Sequence, residues 1–261
     1  MSEQPSVHWT SAGATHVGHV RQVNEDALLE RSDIGLWVVA DGMGGHDAGD
    51  VASQSIVDIL QQTPVMDRLS TYADEVEDRI IAANDALIQL AHEQYENRTI
   101  GSTVVAMIAL DTHCAVLWAG DSRAYRCRDS QCEQLTQDHS QVEEMVQQGL
   151  VRREDAEHHP ASNIVTRAVG AANSINVDID LIDALPNDTF LLCSDGLNKH
   201  LSDEEIGEIL QHDKLEEIPG KLVDLTLSRG AIDNVTVVVI RAVAGDDDQP
   251  NNADSEDTPP A

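Results

Sequence analysis

Four apolar runs in this chain each carry an aspartate at one end. Leu36 to Ala40 runs into Asp41 and the turn Gly42-Met43-Gly44-Gly45. Cys114 to Ala119 runs into Gly120-Asp121, Thr189 to Cys193 runs into Ser194-Asp195-Gly196, and Asp233-Asn234 opens Val235 to Ile240. Runs this short, bounded by turn residues, have the character of buried strands. A strand that ends in an acid delivers a charge to the rim of a sheet. A glycine beside it lets a backbone carbonyl approach a ligand closely. Four such aspartates meeting at one end of a sheet could not all stay ionised without cations. Mg²⁺ or Mn²⁺, hard ions that take oxygen ligands, are the natural counter-charge.

The chain has 261 residues, enough for one large domain or two small ones. Its 47 acids against 16 bases give a net charge of -31. This excess disfavours nucleic acid and anionic membrane surfaces as partners, since both need a basic face. Only three of the bases are lysines, which fits either a salt-rich environment or simple solubility. Cys114 and Cys193 lie inside apolar runs and read as buried thiols. Cys127 and Cys132 could form a bridge or half a zinc site, and the plainer reading is a reduced cytosolic protein. The polar start Met1 to Pro5 lacks the apolar stretch of a signal peptide, and no apolar run approaches membrane-spanning length.

In chain order, Val7 to Thr15 and Ala27 to Glu30 read as strands around the polar cluster Arg21-Gln22-Val23-Asn24-Glu25-Asp26. Val51 to Leu60 and Met66 to Glu96 read as helices broken at Thr63-Pro64. In the longer one Leu69, Val76, Ala83 and Leu90 recur every seven residues, with Ala73, Ile80 and Leu87 between them, making one apolar stripe. Thr103 to Leu110, Cys114 to Ala119 and Ala124 to Arg128 read as one antiparallel meander joined by tight turns. The polar stretch 139–165 has one short amphipathic helix and reads as a flap. Two strands (Ile175 to Ile182, Thr189 to Cys193), two helices (Asp203 to Leu210, Leu215 to Ser228) and a last strand, Val235 to Ala242, follow. Residues 245–261 are acidic and proline-containing and read as a disordered tail on a domain spanning 1–244. The order of elements points to an α+β fold, a four-layer α-β-β-α sandwich of two antiparallel sheets flanked by helix pairs.

Taken together, Arg21-x-x-Asn24-Glu25-Asp26, Asp41-Gly-Met-Gly-Gly-His46, Gly101-Ser-Thr103, Gly120-Asp-Ser-Arg123, Leu135-Thr-x-Asp138-His139-Ser140, Thr166-Arg-Ala-Val-Gly170, Ser194-Asp-Gly196 and Asp233-Asn-Val-Thr236 stand in one order. In that order the chain resembles the metal-dependent protein serine/threonine phosphatases (PPM, or type 2C) in their compact bacterial form, over about residues 7 to 242. The resemblance implies the same sandwich fold. It also implies hydrolysis of phosphoserine and phosphothreonine by a metal-activated water. Asp41 would bridge two Mn²⁺ or Mg²⁺ ions, with the Gly42 carbonyl completing one shell and Asp195 and Asp233 holding the other ion. Asp121 would serve a third, weaker site. Glu25 and Asp26 would act through waters, and Arg21 would grip the phosphoryl oxygens.

Many eukaryotic members have a histidine after the first Asp-Gly; here that position is Met43, so a general acid there is absent or replaced. His46 reads as structural, and His139, His158 and His159 carry no assigned role. A pseudophosphatase that only binds phosphorylated partners is the competing reading, and the complete set of aspartates speaks against it. A phosphatase attached to a sensor domain is a third, and no sensor domain is present in the sequence given. The expected partners are phosphorylated proteins and a cognate serine/threonine kinase. The expected setting is cytoplasmic and monomeric.

Overall fold

The computed structural model describes residues 7–44, 48–96, 98–129, 131–156, 159–212 and 214–245. His46, His158 and nearly all of the 245–261 tail lie outside the described residues. The elements are, in order, β1 (Val7–His16), β2 (Asp26–Arg31), β3 (Leu36–Met43), α1 (Gly49–Leu60), α2 (Leu69–Gln94), β4 (Gly101–Ser102), β5 (Val104–Leu110), β6 (His113–Ala119), β7 (Arg123–Arg128) and β8 (Gln131–Gln134). There follow α3 (Gln141–Gln147), α4 (Arg153–Ala156), β9 (Asp178–Asp183), β10 (Thr189–Cys193), α5 (Asp195–Asn198), α6 (Asp203–His212), α7 (Ile218–Ser228) and β11 (Val235–Ala244).

Two antiparallel sheets form the centre. One has the order β1-β11-β10-β7-β8; the other has β2-β3-β5-β6-β9, with β4 paired to β3. Trp37, Val39, Met107, Val116, Phe190, Leu192 and Ile240 fill the space between them. The alternate residues Leu36, Val38, Ala106 and Leu117 face Ile56, Val76, Ile80 and Leu87 of α1 and α2. Leu191, Val237 and Val239 face Ile206, Leu210 and Leu222 of α6 and α7. Both faces of each sheet are therefore covered, which is why the strands read as continuous apolar runs rather than alternating ones. This is the four-layer sandwich expected from the sequence. The seven-residue stripe of α2 is its buried face: Ala73, Val76, Ile80, Ala83 and Leu87 are covered, with Leu69 and Leu90 packed against them.

The expected meander is not one. β5 and β6 pair in one sheet, whereas β7 pairs with β10 in the other. The turn Gly120-Asp121-Ser122 is a crossover between sheets, and this is how Asp121 comes to stand where both sheets end. Strand β8 and the one-turn α5 were not legible, since Gln131-Cys132-Glu133-Gln134 has no apolar alternation and forms an edge. β9 starts later than expected, at Asp178. Cys127 and Cys132 stand directly opposite each other across β7 and β8 and are joined as a disulfide. That settles the choice between bridge and half zinc site, and it corrects the fully reduced reading for this pair. Cys114 and Cys193 are free and buried.

The stripe can be checked with neighbouring residues of opposite exposure. Ile80 is fully buried and Ile81 is 37% exposed. Ile80→Ala should destabilise the fold by about 2–5 kcal/mol through lost burial and the cavity it leaves. Ile81→Ala should stay within about 1 kcal/mol. Urea denaturation of both variants reads the difference directly; equal losses would misplace the face.

Candidate metal centre

Asp41 stands near the end of β3, directly opposite Asp26 of β2. The second sheet thus contributes two carboxylates at one edge. The first sheet contributes Asp195, just after β10, and Asp233, just before β11. Ser194 ties the two sheets together there. Its hydroxyl donates to Asp26 Oδ2 at 2.8 Å and accepts the Thr236 N–H at 3.0 Å, while its own N–H donates to the Thr236 carbonyl. Asn234 does the same for the polar loop before β2. Its Nδ2 donates to the carbonyls of Val17 and Val23 at 2.9 and 3.0 Å, and its Oδ1 accepts the Glu25 N–H at 2.8 Å. Thr103 fixes the third junction. Its N–H donates to the Asp41 carbonyl at 2.9 Å, its hydroxyl accepts the Asp41 N–H at 3.1 Å, and that hydroxyl lies 2.7 Å from the Ser122 hydroxyl beside Asp121. The motifs Gly101-Ser-Thr103, Ser194-Asp-Gly196 and Asp233-Asn-Val-Thr236 therefore each contain a strap as well as, or instead of, an acid.

Two glycines are dictated by space. A Cβ on Gly42 would lie 2.0 Å from the Gly49 carbonyl oxygen, and one on Gly196 would lie 1.8 Å from that of Asn234. Gly42 is required by close packing on the start of α1, a reason independent of any ligand at its carbonyl.

The electrostatics follow from crowding. Burial pushes Asp26 and Asp121 up to about 7. Asp41 is raised well above its ordinary value, by burial and then by Asp26, Asp195, Asp121 and Asp233. Asp195 is raised by burial against the pull of Lys199. Glu25 is also raised, mainly by burial. Asp233 alone stays below its ordinary value, because Lys199 and Arg21 outweigh its burial. Lys199 Nζ lies 2.5 Å from Asp195 Oδ2 and 3.2 Å from Asp233 Oδ2. Arg21 donates from Nη2 to Asp233 Oδ2 at 3.1 Å, and its Nε lies 2.8 Å from Oδ1 in the same ion pair. Asp26 Oδ1 and Asp195 Oδ1 are buried without a hydrogen-bond partner. Among the described residues no three acids, histidines or cysteines close into a tight ligand cage. The carboxylates instead share one field, part of it neutralised by two basic side chains. A donor set of oxygens only, crowded, buried and with two orphan atoms, fits a hard divalent ion.

The structure thus brings Asp26, Asp41, Asp121, Asp195, Asp233, Glu25 and Arg21 to one end of the sandwich. Lys199 was not singled out from the sequence. The available signal was its position four residues after Asp195, one helical turn on, in a chain with only three lysines. His139 is held between elements: it stacks on Trp118, accepts the Gly120 N–H at Nδ1 and faces Asp178 Oδ2 with Nε2 at 3.1 Å. That pattern puts its proton on Nε2, and burial keeps its pKa below the usual value. His159 accepts the Ala161 N–H in a turn of the 139–165 segment.

The family model described as protein phosphatase 2C matches residues 12–218. The chain belongs to the protein phosphatase 2C family. Among relatives of this family member, the serine/threonine phosphatase stp of Listeria innocua is 35% identical over 234 residues, 87% of this chain and 93% of that protein. The serine/threonine protein phosphatase PstP of Mycobacterium tuberculosis is 33% identical, covering 90% of this chain and 49% of its own length. Of solved structures, PppA, a key regulatory component of T6SS in Pseudomonas aeruginosa, superposes with a TM-score of 0.84 at 43% identity, over 91% of this chain and 99% of that one. The PstP catalytic domain in complex with 2 manganese ions superposes with a TM-score of 0.80 at 32% identity, over the same shares.

Lys199 gives a test of the charge balance in this phosphatase 2C domain. Lys199→Met leaves Asp195 and Asp233 short of a counter-charge in a largely buried site. The cost should be about 1–3 kcal/mol, reduced from the fully buried case because the lysine is partly exposed. Melting in EDTA should drop by roughly 3–10 °C, and added Mn²⁺ should recover most of the loss. An identical deficit with and without Mn²⁺ would mean that the lysine supports the fold for another reason.

Proposed function

We propose that this chain is a metal-dependent phosphatase that hydrolyses phosphoserine and phosphothreonine in proteins. The observation that carries this is the meeting of buried and half-buried carboxylates from both sheets at one end of the sandwich, in a chain whose relatives are serine/threonine phosphatases. Two Mn²⁺ or Mg²⁺ ions would be held by Asp41, the Gly42 carbonyl, Asp195 and Asp233, with Asp121 offering a third, weaker site. Bound there, such ions supply a water of lowered pKa and offset the charge of the phosphoryl group.

The chain's own side chains set the rest. Arg21 directs one N–H at Asp233 and keeps its other donors, with about half of its side chain exposed. Those remaining donors suit phosphoryl oxygens. Asp26 is fixed by the Ser194 hydroxyl and Glu25 has its backbone held by Asn234, and the roles assigned to them are to act through waters. Met43 offers no proton at the position where many eukaryotic members of the family have histidine. The 139–165 segment reads as a flap that sorts protein substrates. Phosphoserine and phosphothreonine are products of kinases, so a serine/threonine kinase in the same, cytoplasmic, compartment is the functional counterpart. A pseudophosphatase would have lost one of the carboxylates, and none is missing.

Turnover of p-nitrophenyl phosphate and of a phosphothreonine peptide should need Mn²⁺ or Mg²⁺ and vanish in EDTA. Asp41→Asn should abolish both without unfolding the protein; near-wild-type kcat in that variant would refute the bridging role. Arg21→Ala should lower kcat/KM on the peptide roughly ten- to a hundred-fold, the worth of one charge-assisted contact of about 1.5–3 kcal/mol. Its Mn²⁺ affinity by calorimetry should hold or rise, because a competing cation leaves Asp233. A large fall in that affinity would assign Arg21 to organising the carboxylates instead.

A further inference from the structure

Two loops border Arg21 and Asp233, and they expose large apolar side chains. Val20 is 65% exposed, Val23 41% and Ile232 57%. Isolated exposed apolar residues are ordinary. These three bracket the proposed phosphoryl-binding arginine and its aspartate partner: Val20 directly precedes Arg21, Val23 follows it by two, and Ile232 directly precedes Asp233. Their backbones are tied down from several sides. The His19 N–H donates to the Ala231 carbonyl at 2.9 Å, and Asn234 Nδ2 holds the carbonyls of Val17 and Val23. The Ile232 N–H donates to His200 Nε2 at 3.2 Å. At Gly18 the loops approach so closely that a Cβ would lie 2.2 Å from the Asp233 carbonyl oxygen. Side chains on a backbone held in this way lose little freedom when a ligand covers them.

We infer that Val20, Val23 and Ile232 form an apolar shelf. It receives an apolar side chain within two positions of the phosphorylated residue of a protein substrate. The inference rests on the phosphatase reading above. With the phosphoryl group at Arg21, successive residues of an extended peptide step about 3.3 Å apart, so its near neighbours pass over the flanking loops. The chemistry of the occupant follows from charge and burial. At a net charge of -31 the protein repels acidic flanking residues, while an apolar one gains by covering exposed valine and isoleucine.

The test uses the full chain with Mn²⁺ and phosphothreonine peptides that carry Leu, Ser or Glu singly at each position from two before to two after the phosphothreonine. The wild-type protein should prefer Leu over Ser about five- to tenfold in kcat/KM at one or more of these positions, with Glu worst, and mostly through KM. The preference is a ratio within each protein, so it is insensitive to active fraction. Val20→Ser/Val23→Ser and, separately, Ile232→Ser should each bring the ratio toward one. A wild-type ratio near one at every position overturns the shelf, as does a ratio unchanged in both variants. Wild-type protein that hydrolyses neither p-nitrophenyl phosphate nor any peptide overturns the phosphatase reading itself, and the shelf with it.

Discussion

Like-charge repulsion at one end of the sandwich is the constraint that the rest of this molecule answers. Asp41 feels Asp26, Asp195, Asp121 and Asp233 together, at a half-buried end of the sandwich. A fold gains nothing in stability from such a cluster, since each buried carboxylate loses hydration and raises its neighbours' free energy. The chain offsets part of the charge with Lys199 and Arg21, both of which converge on Asp233. Asp233 is accordingly the one member of the group held below its ordinary pKa. The others are balanced by a bound proton or by a divalent ion, and relatives in this family include a phosphatase domain that holds two manganese ions.

Holding mutually repelling groups in place requires a stiff surround. The two-sheet core supplies it at large scale, and a small set of neutral hydrogen-bonding side chains supplies it locally. Ser194, Asn234 and Thr103 each join segments distant in sequence, and each bonds at least one backbone group, the least compliant partner available. Ser194 and Asn234 sit immediately beside a proposed ligand, so the same short motif positions an acid and anchors it. Steric limits add to this. Gly42 and Gly196 lie where backbone segments meet at distances that exclude any Cβ.

Much of this was legible in the chain. The apolar runs with acids at their ends gave the strands and the end at which they gather. The seven-residue stripe gave the buried face of α2, and the order of motifs gave the family and the sandwich. These are local patterns, and local pattern is what fixes which residues must leave water and which glycines and acids stand beside a strand.

Pairing and partner choice were another matter, because they depend on contacts between distant segments. The sequence could not show that Gly120-Asp121-Ser122 carries the chain from one sheet to the other, since a hairpin turn and a crossover of that length look alike. It left Cys127 and Cys132 open, and only the register of β7 with β8 put them face to face. Lys199 looked like any basic residue in a stretch with no assigned element until folding set it between Asp195 and Asp233. Arg21 was assigned to phosphate on resemblance alone, and the fold added its ion pair with an aspartate 212 residues away. Patterns along the chain determined the elements and the chemistry available to them. Which charges face one another was decided by tertiary structure, because Coulomb and hydrogen-bond energies depend on distance in space and not on separation in sequence.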